Sequence, residues 1–127
     1  MAKITGLAHI GVPIADMQRS LAFYVDVMGF TLDDKCPMPG FELAFLSAGS
    51  CIIELICKPN NTERVDGKID HICVEVDDIE GFCEKIKDKV TFDGPISENA
   101  KLCGGVKNVF FRGPDGERIE LFMFLNR

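Results

Sequence analysis

Apolar residues fall into two rhythms along this 127-residue chain, and the same succession of rhythms occurs twice. In "HIGVPIAD" (9–16) and "HICVEVDD" (71–78) apolar residues alternate with others, the two-residue period of a strand. Both stretches open on a histidine and close on an aspartate, and the chain has just two histidines. A helical rhythm follows each. In the first half Met17, Leu21, Tyr24 and Met28 recur at helical spacing, with Asp16 as N-cap and Gly29 as the stop. The second half gives Ile79, Phe82, Cys83, Ile86 and Val90, led by Asp77, with Glu80 three residues on as in a capping box.

The strands that follow also repeat. His9 meets His71 at an offset of 71 − 9 = 62, and further on the offset becomes 120 − 54 = 66. There "FLSAGSCIIEL" (45–55) lies without gaps against "FRGPDGERIEL" (111–121), each a strand, a turn and a second strand. Each half is therefore predicted to be β-α-β-β-β: strands near 7–13, 30–35, 42–47 and 51–58 around a helix near 16–28, then strands near 69–76, 90–93, 107–112 and 117–125 around a helix near 78–88. The segment 95–105 is expected to be a loop. The fold class is α+β: one domain over 1–127, made of a module at 1–58, a polar linker at 59–68 and a module at 69–127. One such module leaves a sheet face uncovered, so two must combine to enclose anything.

Composition narrows the setting. A 46% hydrophobic content suffices for a packed core, and a formal charge of −6 argues against nucleic acid and anionic membranes as general partners. No apolar stretch approaches the ~20 residues that span a bilayer. The start "MAKITGLAHIG" lacks the basic and apolar regions of a signal peptide. The six cysteines contain no CxxC, and four fall in apolar strand or helix patterns. Buried, reduced thiols and a cytoplasmic protein are the expectation.

Candidate chemistry comes from the repeated positions. His71, Cys73 and Glu75 share one strand face, Glu54 lies with Ile52 and Ile56, and Glu120 lies with Arg118 and Phe122. Each half thus offers one histidine on its first strand and one glutamate on its last. A carboxylate between isoleucines is expensive to bury unless a cation meets it. Equivalent positions of a duplicated unit come together around a pseudo-twofold axis, where one divalent metal ion would meet both glutamates. His9, Glu54, His71 and Glu120 form an N2O2 set suited to Ni, Zn, Co, Fe or Mn. Four protein ligands on an octahedral ion leave two positions for water or substrate oxygens, as a catalytic metal requires.

The paired modules, "SLAFYVDVMGF" after the first strand, "GPDGERIEL" before the last glutamate and the order His–Glu–His–Glu resemble the vicinal oxygen chelate superfamily. Within it the chain looks most like the metal-dependent glyoxalase I (lactoylglutathione lyase) branch, from Leu7 to Phe124. The resemblance implies two tandem βαβββ modules in a cupped, open mixed β-barrel around an ion held by His9, Glu54, His71 and Glu120. It implies a small-molecule substrate whose two adjacent oxygens chelate that ion, a thiol–2-oxoaldehyde hemithioacetal converted to a hydroxyacyl thioester. Glu120 would move the proton, with Glu54 as the symmetric alternative. It also implies a homodimer, in which one site can take His9 and Glu54 from one chain and His71 and Glu120 from the other.

The chain departs from the glutathione-using relatives. They carry an arginine shortly after the first histidine, where this chain has Gly11 and Pro13, and an asparagine soon after the second ligand, where it reads "ELICK". Lys58, Lys101 and Arg112 are the cations that can hold an anion instead. A different thiol adduct, or a different chelating substrate altogether, is equally open; the nearest rival is an epimerase of a larger acyl-CoA thioester, to which the short loop at 36–40 gives little support. Superfamily dioxygenases use three ligands, His–His–Glu, and Glu54 counts against them. A binding protein without chemistry, like the bleomycin-resistance members, fits the acidity but not the retained quartet. Phe110, Phe111, Phe122 and Phe124 read as core, with alternate ones able to line the pocket, and Cys73 as a packed thiol near the ion.

Overall fold

The computed structural model describes residues 5, 8–59, 67 and 69–126. The chain divides into two compact units, Met1–Thr62 and Glu63–Arg127. Apart from Pro59 and Gly67, the expected linker at 59–68 lies outside the described residues.

The first unit starts with β1 (Ile10–Ile14), whose Val12 and Ile14 are buried. The Asp16 side chain then accepts a hydrogen bond from the Arg19 amide at 3.0 Å, satisfying a donor at the start of α1 (Met17–Leu21). The regular helix expected through residue 28 ends early. A π-helical turn over Ala22–Val27 continues it, with the Met28 amide bonded to the Phe23 carbonyl. That wider turn places the adjacent Phe23 and Tyr24 both in the core, where their rings meet edge to face. Gly29, at φ +84°, ends the segment in a conformation that side chains rarely adopt. Strands β2 (Thr31–Met38), β3 (Phe41–Ala48) and β4 (Cys51–Cys57) complete a sheet of order β1-β4-β3-β2, with β1 parallel to β4. Ala44, Leu46, Ile53 and Leu55 alternate into the helix side and are fully buried. Each of the larger three contributes on the order of 1.5–3 kcal/mol by leaving water.

The second unit repeats the plan. It holds β5 (Ile72–Glu75), α2 (Ile79–Ile86), β6 (Ser97–Asn99), a short 3-10 turn at Leu102–Gly104, β7 (Val106–Arg112) and β8 (Arg118–Phe124). The sheet order is β5-β8-β7-β6, with β5 parallel to β8. Ile72, Ile79, Ile86, Phe111, Ile119 and Leu121 form its core.

Three expectations change here. The N-cap of α2 is Asp78 rather than Asp77: its Oδ1 accepts from the Gly81 amide at 3.0 Å. Glu80 therefore does not close a capping box and instead pairs with Lys107 on β7. The strand expected at 90–93 is only an isolated bridge from Phe92 to Phe111, and the edge strand falls at Ser97–Asn99, inside the expected loop. Gly94 and Pro95 interrupt the edge. Phe92 to Ser97 is five steps, whereas Phe111 to Asn108 opposite is three, so two residues bulge out. Finally, the two β-hairpins do not align without a gap. Two residues separate the paired Ala48 and Cys51, and with Ser47 and Ile52 there are four, while five separate the paired Arg112 and Arg118.

Candidate functional site

That extra residue decides which side chains are equivalent. Across β3 and β4, Phe45 stands opposite Glu54, and across β7 and β8, Phe110 stands opposite Glu120. The counterpart of Phe45 is thus Phe110, on the face away from the helix, while Phe111 is fully buried. Strand alternation thus sends Phe111 to the core and leaves Phe110 as the alternate ring beside Glu120.

In the first unit Glu54 lies between two neighbours, paired with Gly11 of parallel β1 and with Phe45 of β3. His9 precedes β1 and rests edge-on against the Phe45 ring, centroids 5.4 Å apart, with Nε2 3.5 Å from Glu54 Oε1. The Glu54 side chain is 17% exposed and that of His9 38%. A Cβ added at Gly11 would come within 3.2 Å of Ile56 Cδ1 and 3.6 Å of Glu54 Oε1, so the missing side chain leaves the carboxylate its room.

The second unit builds the same pair more tightly. His71 lies edge-on to Phe110, centroids 5.5 Å apart, and its Nε2 stands 2.9 Å from Glu120 Oε1. Glu120 is only 6% exposed. Its second oxygen accepts a hydrogen bond from Asn108 Nδ2 at 2.7 Å. Cys73, at the position matching Gly11, is paired with Glu120; it is exposed rather than packed, and, contrary to expectation, none of the six cysteines is fully buried. Partial burial, followed by the Glu120 charge and hydrogen bond, pushes the Cys73 thiol up to about 12, which keeps it protonated and a poor thiolate ligand or nucleophile.

On the other edge of the imidazole, His71 Nδ1 is 2.7 Å from Asp70 Oδ2. Arg118 NH1 donates to the same oxygen at 2.8 Å, and its guanidinium stacks 3.8 Å from the Phe110 centroid. The His71 and Arg118 hydrogen bonds hold the Asp70 carboxyl below its ordinary value.

The structure therefore brings His9 to Glu54 and His71 to Glu120, each pair backed by one phenylalanine. Among the described residues no group of three or more His, Cys, Asp or Glu side chains is arranged to hold an ion; each unit supplies a pair. Sequence reasoning passed over Phe45, Asp70, Asn108 and Arg118 as parts of the site. For Phe45 the signal was its place opposite a repeated glutamate, which the ungapped alignment hid. The cations considered for anion binding are engaged elsewhere in two cases: Lys58 lies 5.5 Å over the Phe41 ring, and Arg112 bonds the Gly116 carbonyl.

Residues 6–121 match the sequence profile of the Glyoxalase/Bleomycin resistance protein/Dioxygenase superfamily. The chain belongs to that superfamily. A probable lactoylglutathione lyase of Synechocystis is 33% identical to it, over 91% of this chain and 92% of that one. A mitochondrial methylmalonyl-CoA epimerase of Mus musculus is 27% identical, over 88% of this chain and 67% of its own. Among solved structures, the trypanothione-dependent glyoxalase I of Leishmania major superposes with a TM-score of 0.75 at 26% identity, covering 91% of this chain and 84% of that one. The described residues include no helix long and apolar enough to cross a membrane.

Proposed function

We propose that this protein is a metal-dependent lyase or isomerase of the glyoxalase I type, working on a thiol–2-oxoaldehyde hemithioacetal. The observation that carries the reading is the imidazole–carboxylate pair built twice on equivalent strands, once in each unit. The donor set fits a divalent ion. Two donors each about 2.1 Å from such an ion stand ~3.0 Å apart at a right angle and ~3.4 Å apart in a tetrahedron. The observed N···O separations are 2.9 Å and 3.5 Å. His9, Glu54, His71 and Glu120 are the residues to hold it, with residues 1–127 acting as one domain. When bound, the ion supplies Lewis acidity toward the two adjacent oxygens of the substrate.

Two protons then change place. A glutamate carboxylate accepts the proton from the sulfur-bearing carbon and returns it to the neighbouring carbon, while the hydroxyl proton passes from the oxygen of the first carbon to that of the second. The conversion of R–S–CH(OH)–C(=O)R′ to R–S–C(=O)–CH(OH)R′ is an isomerisation, so no electrons are gained or lost overall. Phe45 and Phe110 wall the two pairs with apolar surface, which strengthens the electrostatic interactions inside.

A second reading, an epimerase of an acyl thioester, is supported by the similarity to the mouse epimerase and by Gly11 and Pro13 at the region where glutathione-using relatives place an arginine. One experiment separates the two. The nickel- or zinc-loaded protein is incubated in deuterated water with hemithioacetals of several thiols and, separately, with 2-methyl-branched acyl-CoA thioesters. Thioester formation from a hemithioacetal supports the lyase. Deuterium entering only the α-carbon of an acyl-CoA supports the epimerase, and no reaction with either sinks both.

The proposed site can draw on one chain or on two. If it is shared in a homodimer, refolding a His9→Ala chain together with a His71→Ala chain restores roughly a quarter of wild-type activity, because random pairing of two chains leaves half the dimers mixed and each mixed dimer one intact site. Activity no higher than that of either variant alone places all four ligands in one chain.

A further inference from the structure

The two pairs differ in what surrounds them. Arg118 is two residues before Glu120, and the residue two before Glu54 is Ile52; Asp70 precedes His71, and Ala8 precedes His9. Asn108 and Leu43 stand at matching places, two residues before Phe110 and Phe45 and opposite Phe122 and Ile56. At all three positions the first unit has an apolar residue that can neither donate to a carboxylate nor accept from an imidazole. The polar groups of the second unit are thus additions to the repeated frame: Asp70 and Arg118 are bonded to each other, Asp70 to His71, and Asn108 to Glu120.

We propose that Asp70, Arg118 and Asn108 are positioning residues that make the His71–Glu120 pair the preorganised, high-affinity half of the metal centre. This rests on the reading that the protein binds a divalent ion. Asp70 Oδ2 lies 2.7 Å from His71 Nδ1 and Glu120 Oε1 2.9 Å from Nε2, so the ring is held at both edges, and Asp70 would keep a proton on Nδ1 when Nε2 turns to a metal ion. Arg118, bonded to the same Asp70 oxygen and stacked on Phe110, stops the carboxylate from turning away to water, although the Asp70 side chain is 68% exposed. Asn108 occupies Glu120 Oε2, which fixes the carboxylate and leaves Oε1 toward the imidazole. Both donors are held in place before an ion arrives, and less ordering entropy opposes binding.

The test measures zinc affinity of the whole protein by competition with a chromophoric chelator, for wild type, Asp70→Ala, Asp70→Asn, Arg118→Ala and Asn108→Leu. The last places the first unit's own residue in the second. Asp70→Ala and Asn108→Leu are expected to weaken zinc 10- to 100-fold, the usual range for loss of a ligand's hydrogen-bond partner. Asp70→Asn keeps an acceptor oxygen and is expected to recover part of the loss. Thermal unfolding of the metal-free proteins, which a merely structural role would shift, is expected to change little for the exposed Asp70. Wild-type affinity in both Asp70→Ala and Asn108→Leu overturns the proposal while leaving the metal reading intact. Failure of the wild type itself to bind zinc overturns both.

Discussion

Replacing His71 with alanine is expected to leave the protein without retained metal and to lower turnover at least ~100-fold, a loss no smaller than that from removing a ligand's outer partner. The measurement is metal content after dialysis against nickel or zinc and then against buffer, wild type beside variant. His71 is the sensitive position because its ring is locked on both edges, by Asp70 at Nδ1 and Glu120 at Nε2. Removing the ring also leaves Glu120 as a nearly buried carboxylate short of one partner, and such a charge is costly to keep. Thermal unfolding of the metal-free variant therefore belongs beside the metal assay. A folded variant that has lost its metal identifies a ligand, whereas one that melts before metal is added reports the stranded carboxylate. Stoichiometric metal in the wild type, lost in the folded variant, supports the quartet. If the wild type retains none, the enzyme reading falls and a binding protein of the same superfamily becomes the leading account.

Much of the fold was legible because duplication made each half a check on the other. The period-two and period-3.6 rhythms located both helices and seven of the eight strands, and the offset of 62 marked both histidines. What escaped was register. A single extra residue in the second hairpin turns every following side chain on one strand to the opposite face, so an ungapped match paired Phe45 with the buried Phe111 instead of Phe110. The same kind of slip hid the edge strand at Ser97–Asn99, since the bulge at Gly94 and Pro95 cannot be read from apolar alternation in three exposed residues. At α2 the stronger sequence signature, an aspartate three before Glu80, lost to the repeat itself, which aligns Asp78 with the Asp16 cap. The polar groups around His71 were invisible for another reason: Asp70 and Arg118 are 48 residues apart and meet only because β5 lies beside β8.

The two glutamates are expected to separate in function, although they are equivalent in the repeat. Glutamine keeps the shape of glutamate and cannot take a proton, so each substitution removes base function while largely preserving packing. Glu120 is enclosed: His71 lies at one oxygen, Asn108 bonds the other, and Cys73 is its neighbour on the parallel strand. To move a proton it must break these bonds. Glu54 is less buried, its imidazole neighbour stands at 3.5 Å rather than 2.9 Å, and Gly11 beside it leaves space for the carboxylate to swing. The position in the repeat favours Glu120 as base, and these surroundings favour Glu54. Glu54→Gln is expected to lower kcat by roughly 10²- to 10⁴-fold, the range for loss of a general base, with metal still bound. Glu120→Gln is expected to act first on metal affinity, because the amide supplies no charge to the ion and must satisfy Asn108 through its remaining oxygen. Single-turnover rates at saturating metal, measured beside zinc affinity, distinguish the two effects. If Glu120→Gln binds metal normally and loses the proton-transfer step while Glu54→Gln keeps it, the roles are reversed, and the clamp around Glu120 orients a working base instead of holding an anchor.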